Sequence, residues 1–201
     1  MKFQLERILL FSDAVFAIAI TLMIIEIKPP HIAHGASFAE SFRAFLNVIP
    51  QIFGTVLSFC MIGLYWFRHH DLMQHLVAYN VTFIQLNFVL LLAVAFIPFS
   101  TAFTIENSTT SFTLLVYNLN YIVVNVLNFI IYKYALNPKN NLCVATVSDE
   151  ISVLKKDTLF SISVFTIVII LGFFNCNLAV FGYALFGFYG VFVKDKPAEI
   201  K

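Results

Sequence analysis

Ionisable side chains within or beside apolar runs are the groups in this sequence that could carry chemistry. Ser12 and Asp13 lie inside the run 8–27, and a polar cluster follows the run 48–67: Arg68, His69, His70, Asp71 and His75. A carboxylate beside imidazoles can pass protons, so one hypothesis is a proton- or cation-coupled transporter that uses Asp13, His69 and His70 as a relay. Zinc would need a third ligand besides Asp71 and His75, and none is evident, so we expect no metal site and no cofactor.

The sequence lacks the motifs of the common enzyme classes. It contains no HExxH, GxSxG, Walker or dinucleotide-binding glycine pattern, which argues against an enzyme. Its three cysteines, Cys60, Cys143 and Cys176, stand alone and are expected to be free thiols. A net charge of +1 gives no support for nucleic-acid binding.

The composition is that of an integral membrane protein. Hydrophobic residues make up 60% and charged residues 11% of the 201 residues, whereas roughly a quarter of the residues of a soluble domain are charged. Apolar runs of about 20 residues can cross the hydrocarbon core of a lipid bilayer as helices. The sequence therefore predicts a single all-α domain over residues 1–201, with six transmembrane spans at approximately 8–27, 48–67, 79–103, 112–134, 159–174 and 178–193.

Polar and helix-breaking residues inside two spans predict how helices meet. Pro98 lacks a backbone donor and should kink or end the third span near Phe96. The fourth span carries more amide side chains than a lipid-facing surface tolerates, so at least some should face other helices. These amides are Asn118, Asn120, Asn125 and Asn128.

Basic residues predict the orientation of the chain. Of the twelve Lys and Arg residues, only Lys28 and Arg43 fall on one side of the six spans, which leaves ten on the other. The side richer in basic residues is normally cytoplasmic, so we expect both termini in the cytoplasm. The basic start and the segment Ala17–Ala19 are compatible with a cleavable signal peptide, but polar residues interrupt the run and it continues to Ile27, which favours a retained span.

The first span has two distinct faces. We number the helix predicted for this first span α1. At about 100° per residue, one stripe of it, which we call the α1 stripe, contains Arg7, Phe11, Ala14, Ile18, Leu22 and Ile25. Ser12 and Asp13 point roughly 120° or more away from Ile18, toward a neighbouring helix. Periodicity alone favours ordinary helix packing as the role of the stripe.

Residues of the first three spans carry a resemblance to a known family. Arg7-x-x-x-Phe11-Ser12-Asp13, with the following run to Leu22, resembles the RxxxFSD signature of the transmembrane protein 175 family, the lysosomal and prokaryotic potassium channels. Trp66-x-x-His69-His70 and the segment from Leu86-Asn87 to Phe99 are similar to the prokaryotic members. The predicted six-span layout is similar to the prokaryotic type to its end.

The resemblance implies a potassium-permeable channel in the cell membrane of a prokaryote. Members of that type are homotetramers of six-helix subunits, and four first helices line a central pathway for potassium ions across the lipid bilayer. Hydrophobic side chains form the constriction instead of a carbonyl selectivity filter. The resemblance assigns the constriction to Ile18, Leu22 and Ile25, and it assigns to Thr21 a hydroxyl linked to selectivity. Some members have a serine where this chain has Ala17, so we expect only modest discrimination of potassium over sodium.

The resemblance also implies a structural network that supports assembly. Its members here are Arg7, Phe11, Ser12, Asp13, Trp66, His69, His70 and Asn87. Two alternatives to the channel remain at this point, the coupled transporter described above and a non-conducting membrane subunit.

Overall fold

Helices form most of the part of the chain that the structure describes. The computed structural model describes residues 5–107, 110–143 and 148–186. In order, its helices are α1 (Leu5–Ile25), α2 (Phe38–Leu46), α3 (Ile49–Gln74), α4 (Val81–Ala95), α5 (Ile97–Glu106), α6 (Ser111–Ala135), α7 (Ser148–Phe174) and α8 (Cys176–Phe181).

Five helical stretches in the described ranges are long and apolar enough to cross a bilayer. They are Leu5–Ile25, Phe38–Gln74, Val81–Glu106, Ser111–Ala135 and Val153–Phe174. The chain is therefore a multi-pass membrane protein. Of the predicted sixth span, 178–193, the part beyond residue 186 lies outside the described residues.

Two helices extend well beyond the predicted spans. The second span was expected to end at residue 67, but α3 continues to Gln74, so the histidine cluster lies on its last two turns. The fifth span is predicted over 159–174, but α7 is continuous from Ser148 to Phe174. In both cases the helix continues through polar residues beyond the apolar run. The helix propensity of a residue does not depend on whether it lies in the apolar run or beyond it.

The α4–α5 pair breaks at Phe96, where the sequence predicts a kink before Pro98. The side-chain amide of Asn120 spans this break. With its oxygen oriented toward donors, it accepts from the Ile97 N–H at 3.3 Å and donates to the Ala93 carbonyl at 3.1 Å. These two backbone groups would bond to each other in an unbroken helix, so the amide replaces that bond inside the membrane, where an unpaired backbone group is costly.

Helix α6 is the centre of the packed bundle. It packs on α4, α5 and α7, while α1 packs on α3, α4 and α5. All four of its predicted interhelical amides are buried: Asn118, Asn120, Asn125 and Asn128. Three of them bond outside α6: besides Asn120, Asn118 accepts from the Tyr183 hydroxyl at 3.0 Å and Asn125 donates to the Tyr65 hydroxyl at 2.6 Å.

The connections gather at two opposite ends of the bundle. At one end, the Val77 N–H donates to the Leu142 carbonyl at 2.8 Å, joining the α3–α4 and α6–α7 connections. At the other end, Lys28 after α1 forms an ion pair with Glu106 at the end of α5. This end also holds α2, which begins with a capping box between Ser37 and Glu40 and continues almost directly into α3.

Candidate functional site

One face of α1 is packed into the bundle. Its buried residues recur every three or four positions: Ile8, Ser12, Phe16, Ala19 and Met23. Ser12 is fully buried and is the polar member of this face. It accepts a hydrogen bond from Asn87 Nδ2 of α4 at 2.9 Å and donates to the Ile8 carbonyl at 2.9 Å.

The Ser12 contact continues to a buried histidine. His69 Nε2 lies 2.8 Å from Asn87 Oδ1. Because the Asn87 nitrogen already donates to Ser12, its oxygen must be the acceptor, so His69 carries a proton on Nε2. The hydrogen bonds then run in one direction, from His69 through Asn87 and Ser12 to the Ile8 carbonyl, and join α3, α4 and α1.

Asp13 belongs to a second contact. Trp66 of α3 donates its indole N–H to Asp13 Oδ1 at 2.9 Å, and the Trp66 ring lies against His70 with 5.7 Å between ring centroids. Phe11 packs beside Phe88 at 5.4 Å between centroids. The structure thus brings seven of the eight predicted network residues into two adjacent contacts and a ring pair. The eighth, Arg7, is exposed and has no hydrogen bond or ion pair within the described chain.

The two contacts do not form a proton relay. Among the described residues, no hydrogen bond joins Asp13 to His69 or His70. The chain of donors from His69 ends on the Ile8 carbonyl, a backbone group that has no proton to pass on. No three His, Cys, Asp or Glu side chains gather as a metal site would need in the ranges that the structure covers. This geometry gives no support to the coupled transporter.

The opposite face of α1 is uncovered within the subunit. Ile18 is 58%, Leu22 39% and Ile25 73% exposed, and the other members of the α1 stripe are exposed as well. Within the described subunit, the stripe therefore lacks the helix packing that periodicity alone favours. A row of large apolar side chains on a helix whose other face is fully packed must meet lipid, another subunit or a pathway between subunits.

Thr21 stands at the edge of the same stripe and is exposed. Its hydroxyl donates to the Ile18 carbonyl at 2.9 Å. Because the single hydroxyl proton is used in this bond, the oxygen is left with lone pairs only, and it can approach a cation or accept from water.

Sequence reasoning missed the Lys28–Glu106 ion pair at the end of the bundle that holds α2. Both residues follow predicted spans on the side poor in basic residues, and their opposite charges were the available signal. It also missed the role of Asn120, for which the local sequence gives no signal, because the partner backbone is about twenty residues away on another helix.

A family model described as the endosomal/lysosomal potassium channel TMEM175 matches residues 7–98. The chain is 35% identical over 100 residues to a protein of Streptomyces collinus named as a potassium channel, a match that covers 50% of this chain and 47% of that protein. It is 37% identical over 102 residues to one of Chamaesiphon minutus, also named as a potassium channel, covering 50% and 49%. The chain thus spans about half the length of these curated relatives.

An animal relative and a solved structure extend the comparison. Over 98 residues the chain is 34% identical to the mouse endosomal/lysosomal proton channel TMEM175. This match covers 46% of this chain and 20% of the mouse protein. The fold is similar to the crystal structure of a lysosomal potassium-selective channel TMEM175 homolog from Chamaesiphon minutus. That similarity has a TM-score of 0.76 at 25% identity and covers 94% of this chain and 96% of the other.

Proposed function

This chain belongs to the TMEM175 family, and on that premise we propose that it forms a potassium-permeable channel in the cell membrane of a prokaryote. The family is one of channels, so the chain is not an enzyme. Its bacterial relatives are named as potassium channels and its animal relatives as proton channels. The proposal adds a homotetrameric assembly with cytoplasmic termini and a central pathway lined by α1.

The uncovered α1 stripe is the observation that carries this proposal. Ser12 and Asp13, the polar residues of α1 that bond to other helices, point away from the stripe, so the stripe is free to face a shared axis. Four such stripes around one axis would place rings of Ile18, Leu22 and Ile25 along a pathway. The rings would be about one turn apart, roughly 5 Å along the helix.

The chemistry of these rings decides the kind of selectivity. An isoleucine side chain has no oxygen to replace the water of an ion, so passage depends on the width of the ring and on its wetting. Potassium holds its hydration shell less tightly than sodium, which gives a narrow apolar ring a mild preference for potassium. The acceptor-only oxygen of Thr21, three residues beyond Ile18, adds a weak site for a cation.

The two α1 contacts serve assembly in this proposal rather than conduction. The links from Ser12 to α4 and from Asp13 to α3 fix the rotation of α1 about its own axis. That rotation determines which residues point to the shared axis. Phe11, Asn87, Trp66, His69 and His70 act as members of this structural network, and Arg7 is free to contact a neighbouring subunit.

Flux measurements on purified protein in liposomes test the function. We expect potassium flux that rises with concentration without saturation, single-channel steps in planar bilayers, and a potassium-to-sodium ratio modestly above one. Saturable flux that requires a proton gradient would indicate the coupled transporter, and an absence of flux from well-assembled protein would indicate a non-conducting subunit.

A further inference from the structure

A cavity of about 430 Å³ opens at the end of the bundle that holds the Lys28–Glu106 pair. Residues of α3, α5, α6 and α8 line it, together with the segment that follows α1. Its volume lies in the range of sites that enclose small organic molecules, roughly 300–1,000 Å³. We name it the α2-end cavity.

The α2-end cavity is lined mostly by apolar groups, and two buried residues with hydroxyls are also among its lining residues. Phe53, Leu57 and Ile105 are among its apolar lining residues. The hydroxyls of Thr101 and Tyr117, which also line it, are buried and are joined through Ser58 at 3.0 Å and 2.9 Å. Each of these hydroxyl oxygens has a further lone pair that can accept from a ligand.

The mouth of the cavity carries two opposite charges that cancel. Lys28 and Glu106 both line it and are paired with each other. The hydrogen bond to Glu106 raises the pKa of Lys28 above its ordinary value, so Lys28 is cationic at neutral pH. A ligand with a net charge gains no net attraction from a mouth whose two charges cancel, whereas a neutral polar group can bind beside the pair and leave it intact.

The cavity also touches the segment that follows the C-terminal end of α1. Gln51, one of its lining residues, donates to the Glu26 carbonyl at 2.7 Å. Glu26 follows Ile25 directly, and Lys28 at the mouth comes two residues later. A molecule in the cavity is therefore in contact with the side chains that hold the segment directly after α1 against α3 and α5.

We propose that the α2-end cavity binds a neutral amphiphile, an alkyl or aryl body with one hydroxyl or carbonyl group, and that its occupancy changes conduction by shifting the outer end of α1. The body packs against Phe53, Leu57 and Ile105. The polar group meets the Thr101 and Tyr117 hydroxyls. The binding part stands on the cavity alone, and the effect on conduction rests on the proposed function.

Photolabelling tests the binding site without reference to conduction. The probe is an octanol that carries a diazirine, applied to the protein in lipid nanodiscs, and mass spectrometry identifies the labelled residues. We expect saturable labelling of Phe53, Leu57 or Ile105 that excess octanol suppresses. Labelling that is spread over lipid-facing residues such as Leu92, and that octanol does not suppress, would overturn the proposal.

Two variants and a matched control sharpen this experiment. Val180 lines the cavity and is 44% exposed, so Val180→Phe fills part of it with little risk to folding. It should lower the labelling about fivefold, the equivalent of about 1 kcal/mol of overpacking. Val123→Phe, at a 42% exposed position of α6 away from the cavity, should change nothing. Thr101→Val removes one hydroxyl and should weaken the suppression of labelling by octanol. Equal labelling in all variants would contradict binding of the probe in the α2-end cavity.

Flux measurements in the same lipid test the effect on conduction. Octanol should change the potassium flux of the unmodified protein and of Val123→Phe, and Val180→Phe should have lost this response. Saturable labelling without any flux would leave the binding site intact and refute the proposed function. If labelling were saturable but octanol left the potassium flux unchanged, the link between the cavity and α1 would be refuted.

Discussion

Trp66 donates its indole N–H to Asp13 Oδ1 at 2.9 Å, which joins the C-terminal half of α3 to the first half of α1. The neighbouring bond from Asn87 to Ser12 joins α4 to the same turn of α1. Because two different helices bond to consecutive residues of α1, the orientation of α1 about its own axis is fixed. The α1 stripe is the face that this rotation leaves uncovered.

We predict that Asp13→Ala lowers the stability and yield of the assembled protein and leaves its ion preference nearly unchanged. A hydrogen bond to a charged group contributes about 1.5–3 kcal/mol. Thermal unfolding followed by size-exclusion chromatography measures the first effect, and liposome flux measures the second. Trp66→Phe removes the same bond from the other side, so the double variant should be little worse than either single one. A stable Asp13→Ala protein with altered selectivity would place Asp13 in the pathway.

We predict that Ile18→Asn raises conductance and lowers the preference for potassium. An amide in the ring makes wetting easier, and each ~1.4 kcal/mol taken from the barrier raises the rate about tenfold. Single-channel recording in planar bilayers measures both quantities. Ile170→Asn is the matched control, because Ile170 of α7 is 52% exposed against 58% for Ile18. If both variants behave like the unmodified protein, the α1 stripe is a surface for lipid or subunit packing.

We predict opposite accessibility at the two ends of the bundle. In a background without Cys60, Cys143 and Cys176, a cysteine at His34, between α1 and α2, should react with an impermeant thiol reagent added to intact cells. A cysteine at Lys139, after α6, should react only after the cells are opened. Both positions are exposed in the subunit, so a difference reports the membrane side. The reverse pattern would invert the orientation drawn from the basic residues.

We predict that Asn120→Leu destabilises the protein by several kcal/mol. The substitution leaves the Ala93 carbonyl and the Ile97 N–H without the amide that bridges them, and each unpaired buried group costs about 1–3 kcal/mol. Thermal unfolding in detergent measures the change, with Leu119→Ala at an exposed neighbouring position as the control. Unchanged stability would mean that α4 and α5 can close the break between themselves.

The sequence predicted the elements whose signal is local and missed those that depend on distant parts of the chain. Apolar run length located the transmembrane stretches, and Pro98 located the break at Phe96, because both act within one segment. The polar cluster after Trp66 indicated where α3 leaves the apolar layer, but it does not end the helix, since histidine and aspartate tolerate helical geometry at a hydrated surface.

The candidate site shows the same division. The angle between Ser12 and Ile18 predicted that the polar residues of α1 face neighbouring helices, and the structure gives them those partners. The identity of the partners needed the fold, since Trp66 and Asn87 are more than fifty residues away. The fold was also needed to show that the α1 stripe is uncovered. A repeat of isoleucine and leucine looks the same in the sequence whether its face is packed or exposed.

The Asn120 bridge has a consequence for how this subunit can bend. At a break made by a proline alone, no side chain from another helix fixes the distance between the unpaired backbone groups. Here the gap between Ala93 and Ile97 is filled by an amide that belongs to α6, so its width is set to the size of one side chain. A slip of α6 by a single residue would move that amide out of the gap. The amide therefore ties the axial position of α6 to the break between α4 and α5. A movement of α5 that kept both hydrogen bonds would have to carry α6 with it.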